Sequence, residues 1–155
     1  MKIKLAVVGK MRAGPEADLV KDYVSRFDRT GRALGLGPLS IVEVEAKKGG
    51  MNAEAGLLSR ATGTSDPVCI LDERGRSMTS PEFAKMLATW RDQGRAEAAF
   101  VIGGADGICP ELQASAHMSM SFGSMVWPHM MARVMLTEQL YRAASILSGA
   151  PYHRN

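Results

Sequence analysis

Short apolar runs alternate with stretches of helical spacing along the whole chain. The runs predict β-strands, because they are aliphatic and stop at glycine or charged residues, over 3–8, 39–46, 67–71, 98–102 and 120–126. Helical spacing with caps or breakers at its ends covers 16–27, 52–61, 80–90, 110–118 and 129–148. Loops are expected at 31–38 and 72–76. This alternation predicts an α/β fold in which helices flank a mostly parallel sheet.

The helical pattern at 129–148 is apolar on two sides. One stripe consists of Ala132, Leu136, Leu140, Ala143 and Leu147, and the opposite side carries Met131, Val134, Met135 and Tyr141. A helix of this kind is buried on both sides. The second side therefore packs either inside the same domain or against another subunit, and the pattern does not separate these two interpretations.

Composition narrows the class of protein. The chain has 155 residues without a long linker or repeat, which predicts one domain over 1–155, and 46% hydrophobic with 23% charged residues is typical of globular proteins. No apolar run approaches the length of a membrane span. The apolar stretch before Lys10 is too short for a signal peptide, so a cytoplasmic protein without a membrane partner is expected.

The charge is compatible with an anionic partner such as RNA. The net charge is +3 and the sequence pI is about 9.0, although many basic proteins bind no nucleic acid. Candidate phosphate contacts, each of which is also an ordinary solvated surface residue, are Lys47, Lys48, Arg74, Arg76, Arg91 and Arg95.

General catalytic motifs are missing from the sequence. Cys69 and Cys109 match no metal-ligand spacing and are interpreted as small buried hydrophobes, so no metal site is expected. The chain has no G-x-G-x-x-G fingerprint, Walker loop, H-E-x-x-H or G-x-S-x-G motif. This argues against a nicotinamide or ATP enzyme on an open α/β sheet.

Three segments remain as candidates for a site. They are the glycine turn at 103–107, the segment 122–129 with its central glycine, and the tail Pro151-Tyr152-His153-Arg154. Ligands of parallel sheets bind beyond the carboxyl ends of the strands, which directs attention to the loops after Leu71, Ile102 and Val126. Each segment alone is also compatible with ordinary turn or terminus chemistry.

Taken in order, these segments resemble one family. The chain resembles ribosomal RNA large subunit methyltransferase H, of the SPOUT class, over essentially its whole length. The segments that carry the resemblance are Leu71-Asp72, Ile102-Gly103-Gly104-x-x-Gly107, Pro128-His129, Glu138-Gln139-Leu140-Tyr141-Arg142-Ala143 and the tail. The resemblance implies a trefoil knot near the C-terminus and S-adenosylmethionine as cofactor. It implies a homodimer that methylates N3 of the pseudouridine at position 1915 of 23S rRNA within the assembled ribosome.

The resemblance also implies site residues. The cofactor-binding residues would be Leu71, Gly103, Phe122, Gly123, Ser124, Met125, Val126 and Trp127. In the catalytic group, contributed across the dimer interface, Arg154 would stabilise the imide anion with Arg142 as second candidate, His153 would accept the proton and Tyr152 would position the base. The chain has Gly123 and Val126 where relatives often carry serine and threonine. These lost hydroxyls favour the alternative, a non-catalytic RNA-binding or ribosome-assembly module that keeps the fold.

Overall fold

Five parallel strands lie between helices in the computed structural model, which describes residues 1–154. The elements, in chain order, are β1 (Lys2–Val8), α1 (Pro15–Arg32), β2 (Leu39–Val44), α2 (Met51–Thr62), β3 (Val68–Ser77), α3 (Ser80–Asp92), β4 (Glu97–Ile102), α4 (Pro110–Ser115), β5 (Met118–Ser121) and α5 (His129–Ser148). The strand order is β2-β1-β4-β3-β5. This confirms the predicted α/β fold.

Helices cover both faces of the sheet. On one face, Leu5 and Phe100 pack with residues of α1, α3 and α5, and on the other face Ile70 and Val101 pack with α2 and α4. Residues of β1 and β4 are buried on both faces, as expected for the central strands of a parallel sheet. Cys69 and Cys109 are buried free thiols, which confirms their predicted role as small hydrophobes.

The last helix packs inside the subunit on two sides. α5 contacts both α1 and α3, and its stripe residues Leu136, Leu140 and Ala143 are fully buried. Met131 and Met135 are only half-buried. The internal contacts therefore account for much of the two-sided apolar pattern, and part of the methionine surface is left open.

Several predicted boundaries are wrong. Helix α1 continues to Arg32, into the predicted loop at 31–38, because the chain reverses only when the backbone N–H of Leu36 reaches the Gly31 carbonyl. Helix α4 ends at Ser115 instead of Met118, since Met118 pairs with Cys69 as the start of β5.

The edge of the sheet beside β3 differs most from the prediction. Strand β3 does not end at Leu71 but continues to Ser77, and the predicted loop at 72–76 is an irregularity inside it. Leu71 and Arg76 both pair with Met120, so the residues between them bulge out of the sheet. Strand β5 ends at Ser121, because the backbone turns away at Gly123 instead of continuing to Val126.

Across residues 1–154, none of the helices combines the length and apolar character that a membrane crossing requires.

Candidate cofactor cavity and C-terminal cluster

A cavity opens where the carboxyl ends of β3, β4 and β5 meet. Its volume is about 420 Å³, within the range of small-molecule sites. Its walls come from the β3 bulge, the glycine turn after β4, the segment after β5 and the start of α5, and they include seven residues named from the sequence: Leu71, Gly103, Phe122, Gly123, Met125, Val126 and Trp127. Ser124 does not line it. The predicted edge of the sheet is thus the edge that carries the cavity.

Gly103 allows the turn after β4 to fold tightly against the cavity. A Cβ at this position would lie 2.7 Å from Cγ1 of Ile108 and 2.8 Å from the carbonyl oxygen of Gly107. The turn is closed by the Gly107 N–H, which donates to the Gly104 carbonyl over 3.0 Å. A side chain at 103 would therefore push the turn out of place.

Ser121 organises the segment that follows β5. Its hydroxyl donates to the carbonyl of Gly123 (2.8 Å) and accepts from the Gly123 N–H (3.0 Å). Gly123 has φ +115°, a conformation that strains any residue with a side chain. The hydroxyl of Ser121 thus fixes a turn that requires glycine at 123.

The apolar residues after this turn are exposed. Met125 and Val126 are 72% and 80% exposed, and Trp127 is 41% exposed beside the cavity. Large apolar side chains in such a row indicate a surface that a ligand or another chain covers.

Acidic residues face the cavity from the β3 bulge and the glycine turn. Asp72, Glu73 and Asp106 line it together with a single guanidinium group, that of Arg74. Asp72 accepts from Nε of Arg74 (3.0 Å) and from Nε2 of Gln113 (2.8 Å), and the Arg74 contact lowers the pKa of Asp72 below its ordinary value. The sequence analysis singled out the glycine turn that contains Asp106 without naming this carboxylate, and it missed Gln113, which belongs to no recognisable motif.

The tail folds back onto α5. The Tyr152 hydroxyl donates to Oε1 of Glu138 over 3.0 Å, and the same oxygen accepts from Nη2 of Arg142 over 2.6 Å. The Arg142 guanidinium lies 4.8 Å from the centre of the Tyr152 ring, and its Nη1 lies 3.4 Å from Nδ1 of His153. These four side chains are called the tail cluster below. Arg154 is exposed at its edge.

The tail cluster and the cavity are separate in one chain. None of the four residues named for catalysis lines the cavity; these are Arg142, Tyr152, His153 and Arg154. The structure therefore brings together the residues named for the cofactor, and separately those named for catalysis, but does not join the two groups.

The candidate phosphate contacts lie at two opposite edges of the sheet. Arg91 and Arg95 lie before β4, at the edge opposite the cavity, and pair with Asp92 and Asp66. Residues Lys47 and Lys48 follow β2 on the cavity edge and are exposed, as are Arg74 and Arg76 in β3. Arg74 is paired with Asp72.

Comparison with known proteins places this chain in a family. The family model described as "Predicted SPOUT methyltransferase" matches residues 1–153. A protein of Dinoroseobacter shibae named ribosomal RNA large subunit methyltransferase H is 63% identical and covers 99% of both chains. A protein of Roseobacter denitrificans with the same name is also 63% identical and covers 100% of both.

Solved structures agree at the level of the fold. A probable methylase family protein from Haemophilus influenzae has a TM-score of 0.57 at 14% identity, and covers 99% of this chain and 70% of its own. A probable methyltransferase from Bordetella pertussis has a TM-score of 0.55 at 15% identity, with 92% and 96% covered. The chain belongs to the SPOUT methyltransferase family, and its cofactor is S-adenosylmethionine.

The cavity suits this cofactor. The compact turn at Gly103 forms one wall, and the apolar side chains of Leu71 and Trp127 suit an adenine ring. The carboxylates of Asp72, Glu73 and Asp106 outnumber the one Arg74 guanidinium, which favours a cation such as a sulfonium. These are features of the residues themselves, independent of the family match.

Proposed function

We propose that this chain methylates N3 of a pseudouridine, at position 1915 of 23S rRNA, within the assembled ribosome. It would act in the cytoplasm as a homodimer, with the cofactor held by Leu71, Gly103 and the segment 122–127. The names of the relatives, ribosomal RNA large subunit methyltransferase H, support the class of substrate. The knot expected near the C-terminus belongs to the same proposal.

One observation supports the homodimer in this proposal: the tail cluster and the cavity lie apart within one subunit. A methyl transfer requires the reacting atoms to approach contact distance. If the tail contributes to the reaction, it therefore acts on the cavity of a second copy. The exposed row Met125, Val126 and Trp127 beside the cavity supports such an interface, because burial of these side chains would stabilise a dimer.

The residues of the tail have distinct tasks in this scheme. S-adenosylmethionine, when bound, supplies a methyl group on a cationic sulfonium. Arg154 stabilises the imide anion of the target base and lowers its pKa by its positive charge. His153 accepts the imide proton. Burial, together with contacts to Tyr23 and Glu138, raises the pKa of Tyr152, so Tyr152 stays protonated, keeps its hydrogen bond to Glu138 and positions the base as a neutral side chain of fixed direction.

Arg142 has a different role from Arg154. Its guanidinium is already paired with Glu138 through Nε (3.0 Å) and Nη2 (2.6 Å). A cation paired in this way contributes less charge to a developing anion than an exposed one. Arg154 is therefore the principal anion-stabilising group, and Arg142 supports the tail.

The experiment is subunit complementation. Gly103→Ala impairs the cavity and Arg154→Ala impairs the tail, so each homodimer should methylate ribosomes poorly. When the two variants are co-expressed, each heterodimer contains one intact site, formed by the cavity of the Arg154→Ala subunit and the tail of the Gly103→Ala subunit. Methylation activity should therefore recover to a substantial fraction of the wild-type value. Recovery supports a site shared between subunits. Two inactive parents with no recovery would overturn that scheme, and an active Arg154→Ala homodimer would remove Arg154 from the reaction.

The alternative, a non-catalytic RNA-binding or assembly module, rests on the two missing hydroxyls. Ser121 supplies a hydroxyl in the turn next to Gly123, which weakens that argument. Titration calorimetry with S-adenosylmethionine, its demethylated product, ATP and NAD, followed by a methylation assay on ribosomes, separates the two functions. Cofactor binding without methylation of ribosomes or free rRNA would favour the module.

A further inference from the structure

Glu138 occupies the centre of the tail cluster. Its Oε1 accepts from Nε and Nη2 of Arg142 (3.0 and 2.6 Å) and from the hydroxyl of Tyr152 (3.0 Å). Its Oε2 accepts from Nε2 of Gln139 over 2.7 Å. Both oxygens of one carboxylate are thus engaged, and three side chains converge on it.

The surroundings hold this carboxylate in a fixed direction. The side chain of Glu138 is only 16% exposed, and Oε1 of Gln139 accepts in turn from the Ser80 hydroxyl at the start of α3 (2.7 Å). The Arg142 guanidinium lies over the Tyr152 ring, and the Tyr141 ring packs against Tyr152 at a tilt of 53° with ring centres 4.6 Å apart. An exposed surface ion pair has no such framework.

We infer that Glu138 is a positioning residue, which locks Tyr152 and Arg142 into one unit and so sets the direction in which His153 and Arg154 follow along the tail. The inference rests on the proposed function, because it assigns the tail a task in the reaction. Glu138 touches neither the cavity nor the reacting groups in this scheme, and acts through its neighbours.

Electrostatics agrees with this assignment. Contact with Glu138 raises the pKa of Arg142 and contributes to the raised pKa of Tyr152, whose ionised form would repel the carboxylate. Both neighbours are therefore held in the protonation state in which they donate to Glu138. Charge-assisted hydrogen bonds of this kind are stronger and more directional than neutral ones.

The test is a double-mutant cycle with Glu138→Gln, Tyr152→Phe and the combined variant. Glu138→Gln keeps the shape of the side chain and removes its charge, and Asp92→Asn, which removes an exposed carboxylate paired with Arg91, serves as the control. For Glu138→Gln we expect kcat on ribosomes to fall on the order of 10²-fold, because small misplacements of reacting groups have effects of this size. KM for the cofactor should stay unchanged, and Asp92→Asn should match wild type.

The combined variant decides whether Glu138 acts through Tyr152. If it does, the fold-decrease in kcat of the combined variant is much smaller than the product of the fold-decreases of the two single variants. Multiplicative losses, or a Glu138→Gln variant with normal kcat, would overturn the inference. Glu138→Asp should recover little activity, because its shorter carboxylate does not reach both partners.

A second measurement needs no substrate and keeps the inference separate from the proposed function. Tyrosine ionisation is followed at alkaline pH. Subtraction of the Tyr152→Phe titration curve from the wild-type curve leaves the ionisation of Tyr152, separate from that of Tyr23 and Tyr141. Burial and the contact with Tyr23 also raise the pKa of Tyr152, and the Arg142 cation lies over its ring. Loss of the Glu138 charge should remove one of the raising contributions and shift the Tyr152 titration to lower pH. An unshifted titration would overturn the inference even if the enzyme is active. Failure of wild type to methylate, with a shifted titration, would overturn only the proposed function.

Discussion

The guanidinium of Arg133 lies 3.0 Å from the carboxylate of Glu43, a residue 90 positions earlier in the chain. The Arg133 side chain is 1% exposed, and its Nη2 also donates to the carbonyls of Val8 (2.7 Å) and Gly9 (2.5 Å). The same Glu43 oxygen accepts from the N–H of Met11 (2.9 Å). Helix α5 is thereby joined to the ends of β1 and β2, next to the cavity edge.

Removing the charge of Glu43 should destabilise the fold. Burial already lowers the pKa of Arg133, and Glu43 is the carboxylate that compensates its charge. Glu43→Gln should cost about 1–3 kcal/mol of unfolding free energy, measured by urea denaturation. Arg133→Met, which removes the buried charge together with its need for a partner, should cost no more than Arg133→Ala. A Glu43→Gln variant as stable as wild type would contradict this account.

A side chain at 103 should impair cofactor binding. Gly103→Ala places a Cβ against Ile108 and the Gly107 carbonyl, so the turn must shift. We expect affinity for S-adenosylmethionine to fall at least ~10-fold, equivalent to about 1.4 kcal/mol, as measured by calorimetry. Gly56→Ala is the matched control, because an added Cβ there meets open space on α2. Equal affinities for the two variants would contradict the role of the turn.

Cofactor binding should change the fluorescence of Trp127 selectively. Trp127 lines the cavity, whereas Trp90 packs against Phe100 in the core with ring centres 6.2 Å apart. Addition of S-adenosylmethionine should alter the emission of wild type and of Trp90→Phe. The signal should vanish in Trp127→Phe. A signal that persists in Trp127→Phe would place the cofactor elsewhere.

Acid should remove a specific stabilising contribution of Glu97. The Lys4 ammonium, 2.8 Å away, and the Ser65 hydroxyl lower the pKa of Glu97 below its unfolded value. The folded state therefore binds fewer protons, so this contribution is present above the unfolded pKa and is lost as pH falls through the lower folded value. Denaturation midpoints between about pH 5 and 3 should fall less steeply for Glu97→Gln than for wild type. Parallel curves would show that Glu97 does not contribute.

Local pattern predicted the parts of the structure that depend on local signals. The apolar runs located the first four strands and overlapped the fifth at Met120 and Ser121. The ends of these runs also identified the edge with the cavity, because the carboxyl ends of parallel strands meet at one edge of the sheet. The extension of β3 through Asp72 and Gly75 was missed, since its pairing with Met120 depends on residues far along the chain. The knot remains a prediction from resemblance.

The tail cluster shows a second limit of pattern. Tyr152 and Arg142 were named as site residues from the sequence, but their common partner Glu138 was named only within the segment 138–143 and received no role. Contact between Glu138 and Tyr152 requires the chain to reverse after α5, at Gly149 with its left-handed conformation. The direction of that reversal has no signature in residue types alone. For the same reason, the separation of tail and cavity became visible only in three dimensions.

The position of β1 constrains how the molecule can form during synthesis. β1 lies between β2 and β4, so its first partner is complete at residue 44 but its second only at residue 102. In the interval, one edge of a strand with buried, apolar residues has unpaired N–H and carbonyl groups. Synthesis of the about 58 residues between these two points proceeds at roughly 5–20 residues per second. During this time, aggregation of the nascent chain through the unpaired edge competes with completion of the sheet.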